Sequence, residues 1–299
     1  MATFVYEFPS FPSETQNPTE KFPLTNSFST KLPIQPPSSL LSKSITPYWL
    51  HIPTLRDEFK YSDTYKQNIK ILSKSYCGWK RVRGDGNCYY RSVISTYFQK
   101  IFHFNQPENR IFEFLSQIYN LTFYTSNKFY SECRKVHEVI TDLYQARINS
   151  TYKEKVEIFF KVLEMLQDET FDSMLIKLAR AMTGCLIDLP DGAYIKEFST
   201  SDEIYSLHYR IMELGQEAEG LELSLLPKAL NIQVIQVNIF AEKILYSSYP
   251  DEAAFTEKIK INIISKSRGH YDALYSIQDM EDEDYSLKAR SYMIDNRNT

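Results

Sequence analysis

Cysteine is scarce in this 299-residue chain. Four are present, at positions 77, 88, 133 and 185, too few and too scattered for the disulfide framework of a small secreted domain. No Cys-x-x-Cys pair and no His/Cys cluster occurs, so zinc ligation has little support. An excess of basic charge is missing too. The formal net charge is −4, which argues against general nucleic-acid binding, because neutralising phosphates takes a basic face. No apolar run approaches the length of a membrane span. Met1 to Glu7 lacks the basic start and apolar stretch of a secretion leader. These absences lead to the expectation of a cytoplasmic or nuclear chain with reduced thiols, and neither membrane nor nucleic acid as a partner.

Glycine is absent from residues 1–50, which hold eight of the thirteen prolines and six charged residues. Proline removes backbone donors and blocks helix, so this stretch is expected to be a disordered tail. The pairs Phe8-Pro9, Phe11-Pro12 and Phe22-Pro23 leave open a second reading, as short binding motifs. The rest is ordinary for a globular protein: 43% hydrophobic and 24% charged overall, with enough chain to bury a good core.

Order is expected from about Pro53. Leu55, Phe59, Tyr65, Ile69 and Leu72 recur at helical intervals, with Thr54 placed as a cap. Cys77 to Arg83 reads as a short extended or loop stretch. From Cys88, the residues Tyr90, Val93, Ile94, Tyr97, Phe98 and Ile101 trace an apolar helical face. Helical spacing continues through Phe129/Cys133/Val136/Ile140/Leu143, Val156/Phe159/Leu163/Leu166, Leu175/Leu178/Met182/Leu186 and Ile204/Leu207/Ile211/Leu214, then a shorter Leu223/Leu226/Leu230. The period then changes. Ile232 to Ile239 is rich in β-branched residues, and Lys243 to Ser248, Lys258 to Ser265 and His270 to Ile277 follow at strand-like spacing. From Asp279 to Asp284 a solvated acidic run is expected to end the fold. Helices first and strands last predict an α+β domain.

Two segments carry chemistry. Asp85-Gly86-Asn87 is a tight turn that delivers Cys88 to the start of a helix. A thiol attacks as thiolate and needs a positive, accessible setting. A helix N-terminus supplies unpaired N–H groups and the favourable end of the macrodipole, and the turn's N–H groups could also face a developing oxyanion. The plain alternative is an inert core cysteine, the reading given to Cys77, Cys133 and Cys185. The second segment is Gly269-His270-Tyr271-Asp272. On a strand, His270 and Asp272 share a face while Tyr271 and Ala273 share the other. A carboxylate beside an imidazole fixes its tautomer and stabilises its cation, as a general base for a thiol requires. A lone His-x-Asp also fits a solvated strand face. Histidines 51, 103, 137 and 208 read as surface or core residues. Arg91, almost one helical turn after Cys88, reads as a brace on Asp85 or as an ordinary surface arginine.

Asp85-Gly-Asn-Cys-x-x-Arg91 taken with Gly269-His-Tyr-Asp272 resembles the ovarian-tumour (OTU) cysteine proteases, and within them the otubains. Tyr65 to Lys70 with Leu72 looks like the otubain helix before the nucleophile turn, and Gly269 to Tyr275 like its closing histidine strand. The likeness covers about residues 51–278, leaving the tail over 1–50 and an acidic tail over 279–299 outside. It implies a papain-like fold: a central, mostly antiparallel sheet flanked by helices, with a helical subdomain at about 105–215. It also implies Cys88 as nucleophile, His270 as general base, Asp272 as orienting acid and Asp85 as a shaper of the turn and oxyanion pocket. Gly86 and Asn87 would support the loop. The implied reaction is hydrolysis of isopeptide bonds at the ubiquitin C-terminus through an acyl-enzyme, with no metal or organic cofactor needed and with ubiquitin and polyubiquitin as partners. Tyr89 stands where the family more often has Phe, and Ala273 where it has a bulkier apolar residue. The middle of the chain is much less alike, which leaves linkage preference and any partnership with ubiquitin-conjugating enzymes open. Two other functions stay open here: a non-catalytic module binding ubiquitin or a conjugating enzyme through the same surface, and a papain-like hydrolase acting on another protein tail.

Overall fold

The computed structural model describes residues 43–47, 49–58, 63–123, 127–240, 243–250, 258–266 and 269–280. Its described residues form a six-stranded mixed sheet. In chain order the strands are β1 (Leu50–His51), β2 (Tyr76–Lys80), β3 (Gln233–Ile239), β4 (Ile244–Tyr249), β5 (Lys260–Lys266) and β6 (His270–Ser276). Their spatial order is β1-β2-β6-β5-β3-β4. Every neighbouring pair is antiparallel except β3 and β5, which run parallel. The fold is the expected α+β, papain-like one, with a mostly antiparallel sheet between helical layers.

Alternation along the strands decides which face meets which layer. Tyr271 and Ile263 turn towards α2 (Cys88–Ile101) and share its core with Val234 and Ile261. Leu274, Ile264 and Val237 turn the other way, onto Leu50, Ile52, Leu55, Trp79 and the apolar side of α1 (Asp63–Leu72). Helix α2 is thus clamped between the sheet and the helical half. All of its residues but Lys100 are buried, well beyond the single apolar stripe expected. Two of its buried polar residues are satisfied internally: Ser92 Oγ donates to the Tyr271 carbonyl at 3.1 Å, and Gln99 Oε1 accepts from Lys80 Nζ at 3.1 Å.

The helical half comprises α3 (Asn109–Ile118), α4 (Tyr130–Ile148), α5 (Tyr152–Met165), α6 (Glu169–Asp188), α7 (Ala193–Phe198) and α8 (Ser201–Met212), with α9 (Glu222–Ala229) leading back to the sheet. Side-chain oxygens set three of the starts. Thr151 with Glu154 and Thr200 with Glu203 form capping boxes, and Asp168 accepts from the Phe171 N–H at 2.8 Å, each satisfying N–H groups that the helix cannot. Helix α6 is central, with Leu175, Leu178, Met182 and Leu186 all buried.

Three expectations need correction. Thr54 caps no helix: its Oγ1 donates to the His51 carbonyl at 2.7 Å and accepts from Trp79 Nε1 at 2.9 Å. The segment Ile52–Asp57 is a 3-10 helix begun by Pro53, and α1 starts only at Asp63; Phe59 lies outside the described residues. Chain in contact with the sheet also begins before residue 51. Ile45 bridges Val82, the Arg83 N–H donates to the Ser44 carbonyl at 2.9 Å, and Trp49 stacks on Tyr275 at 4.5 Å. Proline-rich composition concealed that residues 44–46 complete the hydrogen bonding of residues 81–83. Asp279, expected in a solvated run, sits in the short helix α10 (Ile277–Met280), 2.6 Å from Lys100 Nζ and bonded to Ser276 Oγ at 2.7 Å.

Candidate active site

Cys88 is the first residue of α2 and is 3% exposed. The turn before it needs glycine twice over. Gly86 has φ +75°, and a Cβ there would stand 1.8 Å from the Gly215 carbonyl oxygen, so both the left-handed backbone and the close approach exclude a side chain. Two buried guanidiniums hold the turn. Arg91 is 1% exposed; its Nη1 and Nη2 donate to the two oxygens of Asp85 at 2.9 and 2.8 Å, while Nε donates to Asp172 Oδ1 at 2.9 Å. Arg180, wholly buried, donates to Asn87 Oδ1 from Nη2 at 2.8 Å, to the Gly86 carbonyl at 3.1 Å and to the Gln216 carbonyl at 2.7 Å. Its guanidinium also lies 4.2 Å from the centre of the Tyr90 ring. Asn87 occupies the cap position but does not cap. Its Oδ1 also accepts from the Gly215 N–H at 3.1 Å, which ties the loop before α9 to the nucleophile turn.

Asp85 is fully engaged as structure. Besides Arg91 it accepts from the Asn87 N–H at 3.0 Å and from Arg83 Nε at 3.1 Å. Partial burial pushes its carboxyl up, but the hydrogen bonds and charge of Arg91, with the Asn87 and Arg83 contacts, outweigh this and hold it at about 2. It shapes the turn as an anion at all ordinary pH.

The opposite wall is built by the β5–β6 hairpin. Gly269, with φ +72°, turns the chain so that His270 opens β6. His270 Nε2 lies 3.0 Å from Asp272 Oδ1. The imidazole's other side-chain partner is Cys88, whose Sγ is also 3.7 Å from the Gly269 carbonyl. The Nδ1 edge of the ring faces Gly84, where a Cβ would come within 3.1 Å. The hydrogen bond to Asp272, then that to Cys88, raise the imidazole against the effect of its burial to about 9, so His270 is a cation at neutral pH. Asp272 is wholly buried and its Oδ1 also accepts from the Val82 N–H at 2.7 Å. Burial works against its ionisation, yet Lys266 and His270 outweigh that and keep its carboxyl below the usual range.

Every residue singled out from the sequence is therefore in one place: Asp85, Gly86, Asn87, Cys88 and Arg91 on one wall, His270 and Asp272 on the other. Chemically this is a thiol at a helix start, in contact with an imidazolium whose orientation is set by a buried carboxylate. The remaining cysteines are not equipped in this way. Cys133 and Cys185 are buried, the thiol of Cys133 being pushed up to about 12 by burial, and half-buried Cys77 donates to the Tyr275 carbonyl at 3.4 Å.

Sequence reasoning missed Asp172, Arg180 and Lys266. The two residues from α6 carry only a faint signal, as charged residues inside an otherwise apolar helix. Lys266 had a better one: the hairpin spacing pairs it with His270 across β5 and β6. Tyr89 gains a specific role from its hydroxyl, which donates to the Leu223 carbonyl at 2.9 Å and fastens α2 to α9.

The family model for peptidase C65, otubain, matches residues 37–276. The mouse (Mus musculus) ubiquitin thioesterase OTUB2 is 21% identical over 230 residues, covering 72% of this chain and 88% of its own. Among solved structures, an OTUB1–ubiquitin aldehyde–UBC13~Ub complex superposes with a TM-score of 0.64 at 16% identity, covering 79% of this chain and 91% of that one. A corresponding complex with UBCH5B~Ub gives 0.63 at 16% identity, covering 80% and 92%.

Proposed function

The chain belongs to the peptidase C65 otubain family, and on that premise we propose that it is a thiol-dependent isopeptidase acting at the C-terminus of ubiquitin. The observation that carries this reading is the contact series from Cys88 to His270 to Asp272. In the proposed reaction Cys88, its proton held by the His270 cation, attacks as thiolate at the carbonyl carbon of the C-terminal glycine. N–H groups at the start of α2, which have no intrahelical acceptor, receive the oxyanion. The His270 cation donates its proton to the departing lysine amine, leaving a thioester on Cys88. Neutral His270 then takes a proton from water, whose oxygen attacks the thioester and releases the free carboxylate. Asp272 holds the ring on line and balances its charge throughout, and Asp85 with Arg91 keeps the turn in shape.

Ubiquitin and polyubiquitin chains are the proposed partners, in line with the mouse relative's description as a ubiquitin thioesterase. Ubiquitin-conjugating enzymes are a second proposed class, supported by the presence of UBC13~Ub and UBCH5B~Ub in the similar OTUB1 complexes. The test is a ubiquitin probe with a thiol-reactive group at its C-terminus. Labelling of Cys88, absent in Cys88→Ala, is expected. Folded protein that is neither labelled nor active on a panel of di-ubiquitins would overturn the reading in favour of a binding role.

A further inference from the structure

Asp272 is an anion with no solvent contact, and its charge is shared between two cations. One is His270, at 3.0 Å. The other is Lys266, the last residue of β5, which stands directly opposite His270 in the hairpin register and contacts Asp272 Oδ2. Lys266 is itself enclosed, at 9% side-chain exposure, with its ammonium 4.6 Å from the centre of the Trp79 ring. The two oxygens of Asp272 are thus divided: Oδ1 serves His270 and the Val82 N–H, and Oδ2 serves Lys266.

This division matters because the two cations behave differently during turnover. His270 must give up its proton and take it back, so for part of each cycle it is neutral. A buried carboxylate whose sole counter-charge vanished would then be left uncompensated, a state that strongly favours picking up a proton. Lys266 takes no part in the proton transfers of either half of the cycle. We propose that Lys266 is a positioning residue of the active site: it holds Asp272 ionised while His270 is neutral, and by drawing on the same carboxylate it limits how tightly His270 keeps its proton. The proposal rests on Cys88, His270 and Asp272 being the reacting set. It adds a member that neither acts on substrate nor lies in the nucleophile turn.

Among the described residues, the other charged groups around this series are few. Glu58 follows the 3-10 helix and its Oε2 is 3.5 Å from Lys266 Nζ, while its Oε1 lies 3.6 Å from Arg81 Nη1. Cys88 faces His270 from α2, and Glu217 lies against Gly269 from the loop before α9. Glu58 is a poor substitute as a target for Lys266, since it is shared with Arg81 and more exposed than Asp272.

The test needs no ubiquitin, so its failure is separable from that of the substrate assignment. The full chain is compared with Lys266→Met and Lys266→Arg. The His270 imidazole is titrated by NMR, and the rate of Cys88 alkylation by iodoacetamide is followed against pH. With the lysine charge removed, the whole of Asp272 falls to His270, so the His270 titration and the alkaline limb of the alkylation profile should both move up by about 1 pH unit. Lys266→Arg keeps the charge and should restore the wild-type midpoint. An unmoved midpoint in Lys266→Met, with or without loss of thermal stability, would overturn the proposal and leave Lys266 a packing residue. A midpoint displaced equally in both variants would do the same, because charge would then not be the cause.

Discussion

The two walls of the site are held by different means. The nucleophile wall is short in sequence and densely bonded: the Arg83 and Gly86 carbonyls, both Asp85 carboxylate oxygens and Asn87 Oδ1 are gripped by Arg91 or Arg180. None of those groups needs to change charge during the reaction. The base wall is a linear series of charges, Lys266 to Asp272 to His270, in which one member must gain and lose a proton. The contrast separates two tasks. A nucleophile must be presented in one fixed place, which dense hydrogen bonding achieves. A general acid and base must stay adjustable, so its surroundings are tuned by charge and not locked by number of contacts.

The largest effect that would break this comparison lies on the nucleophile wall. Arg91→Met strands Asp85 and Asp172 without their shared cation, and a loss of about 3–5 kcal/mol in chemical unfolding at neutral pH is expected. A loss under about 1 kcal/mol, the scale of an exposed ion pair, would show the brace to be ornamental. On the base wall, Asp272→Asn should leave the fold largely intact but lower kcat/KM about a hundredfold or more, as removing the orienting carboxylate of such a series does. The sign of its pH effect follows from the cause. Asp272 is the main reason His270 is raised from 6.5 to about 9. In the wild type, activity should fall as pH rises through about 9 and the proton needed by the leaving amine is lost. In Asp272→Asn that fall should come at lower pH. The stability contributed by the raised imidazole is likewise complete below 6.5 and lost as pH rises through about 9.

The smallest prediction sharpens the role of charge near the base wall. Lys80, adjacent to β6 through its pairing with Ala273, is a buried lysine whose contacts are Gln99 Oε1 at 3.1 Å and the Trp49 ring at 4.9 Å, neither of them an anion. Burial lowers it to about 7. Because the unfolded chain keeps that proton to higher pH, the contribution of Lys80 makes stability rise with pH above about 7, against the opposite contribution of His270. Lys80→Met should flatten that rise and add about 1–2 kcal/mol at neutral pH in thermal or urea unfolding. Equal destabilisation instead would mean that Lys80, like Lys266, is held for its charge.

Most helices, and the four long strands among the six, were legible because burial on one face leaves a period in the sequence. Leu175, Leu178, Met182 and Leu186, or Val234 and Val237, could be read without knowing their neighbours. The reading failed where structure depends on partners far along the chain. Residues 44–46 look like tail until residues 81–83 require hydrogen bonds, and Thr54 looks like a cap until Trp79 takes its hydroxyl. Helix α2 looks amphipathic until helices on one side and the sheet on the other bury both its faces.

For the site, the sequence by itself determined the reacting types and their local placement. A glycine turn must precede Cys88, and strand alternation must put His270 beside Asp272, because both are consequences of backbone geometry over a few residues. The motifs also sufficed to point to the family. Only the tertiary structure decided that Arg180 from α6 would clamp the turn and that Lys266 would share Asp272. The first contact joins segments far apart in the chain, the second forms only when the hairpin closes, and a charged residue becomes informative only once burial has removed the water that would otherwise have satisfied it.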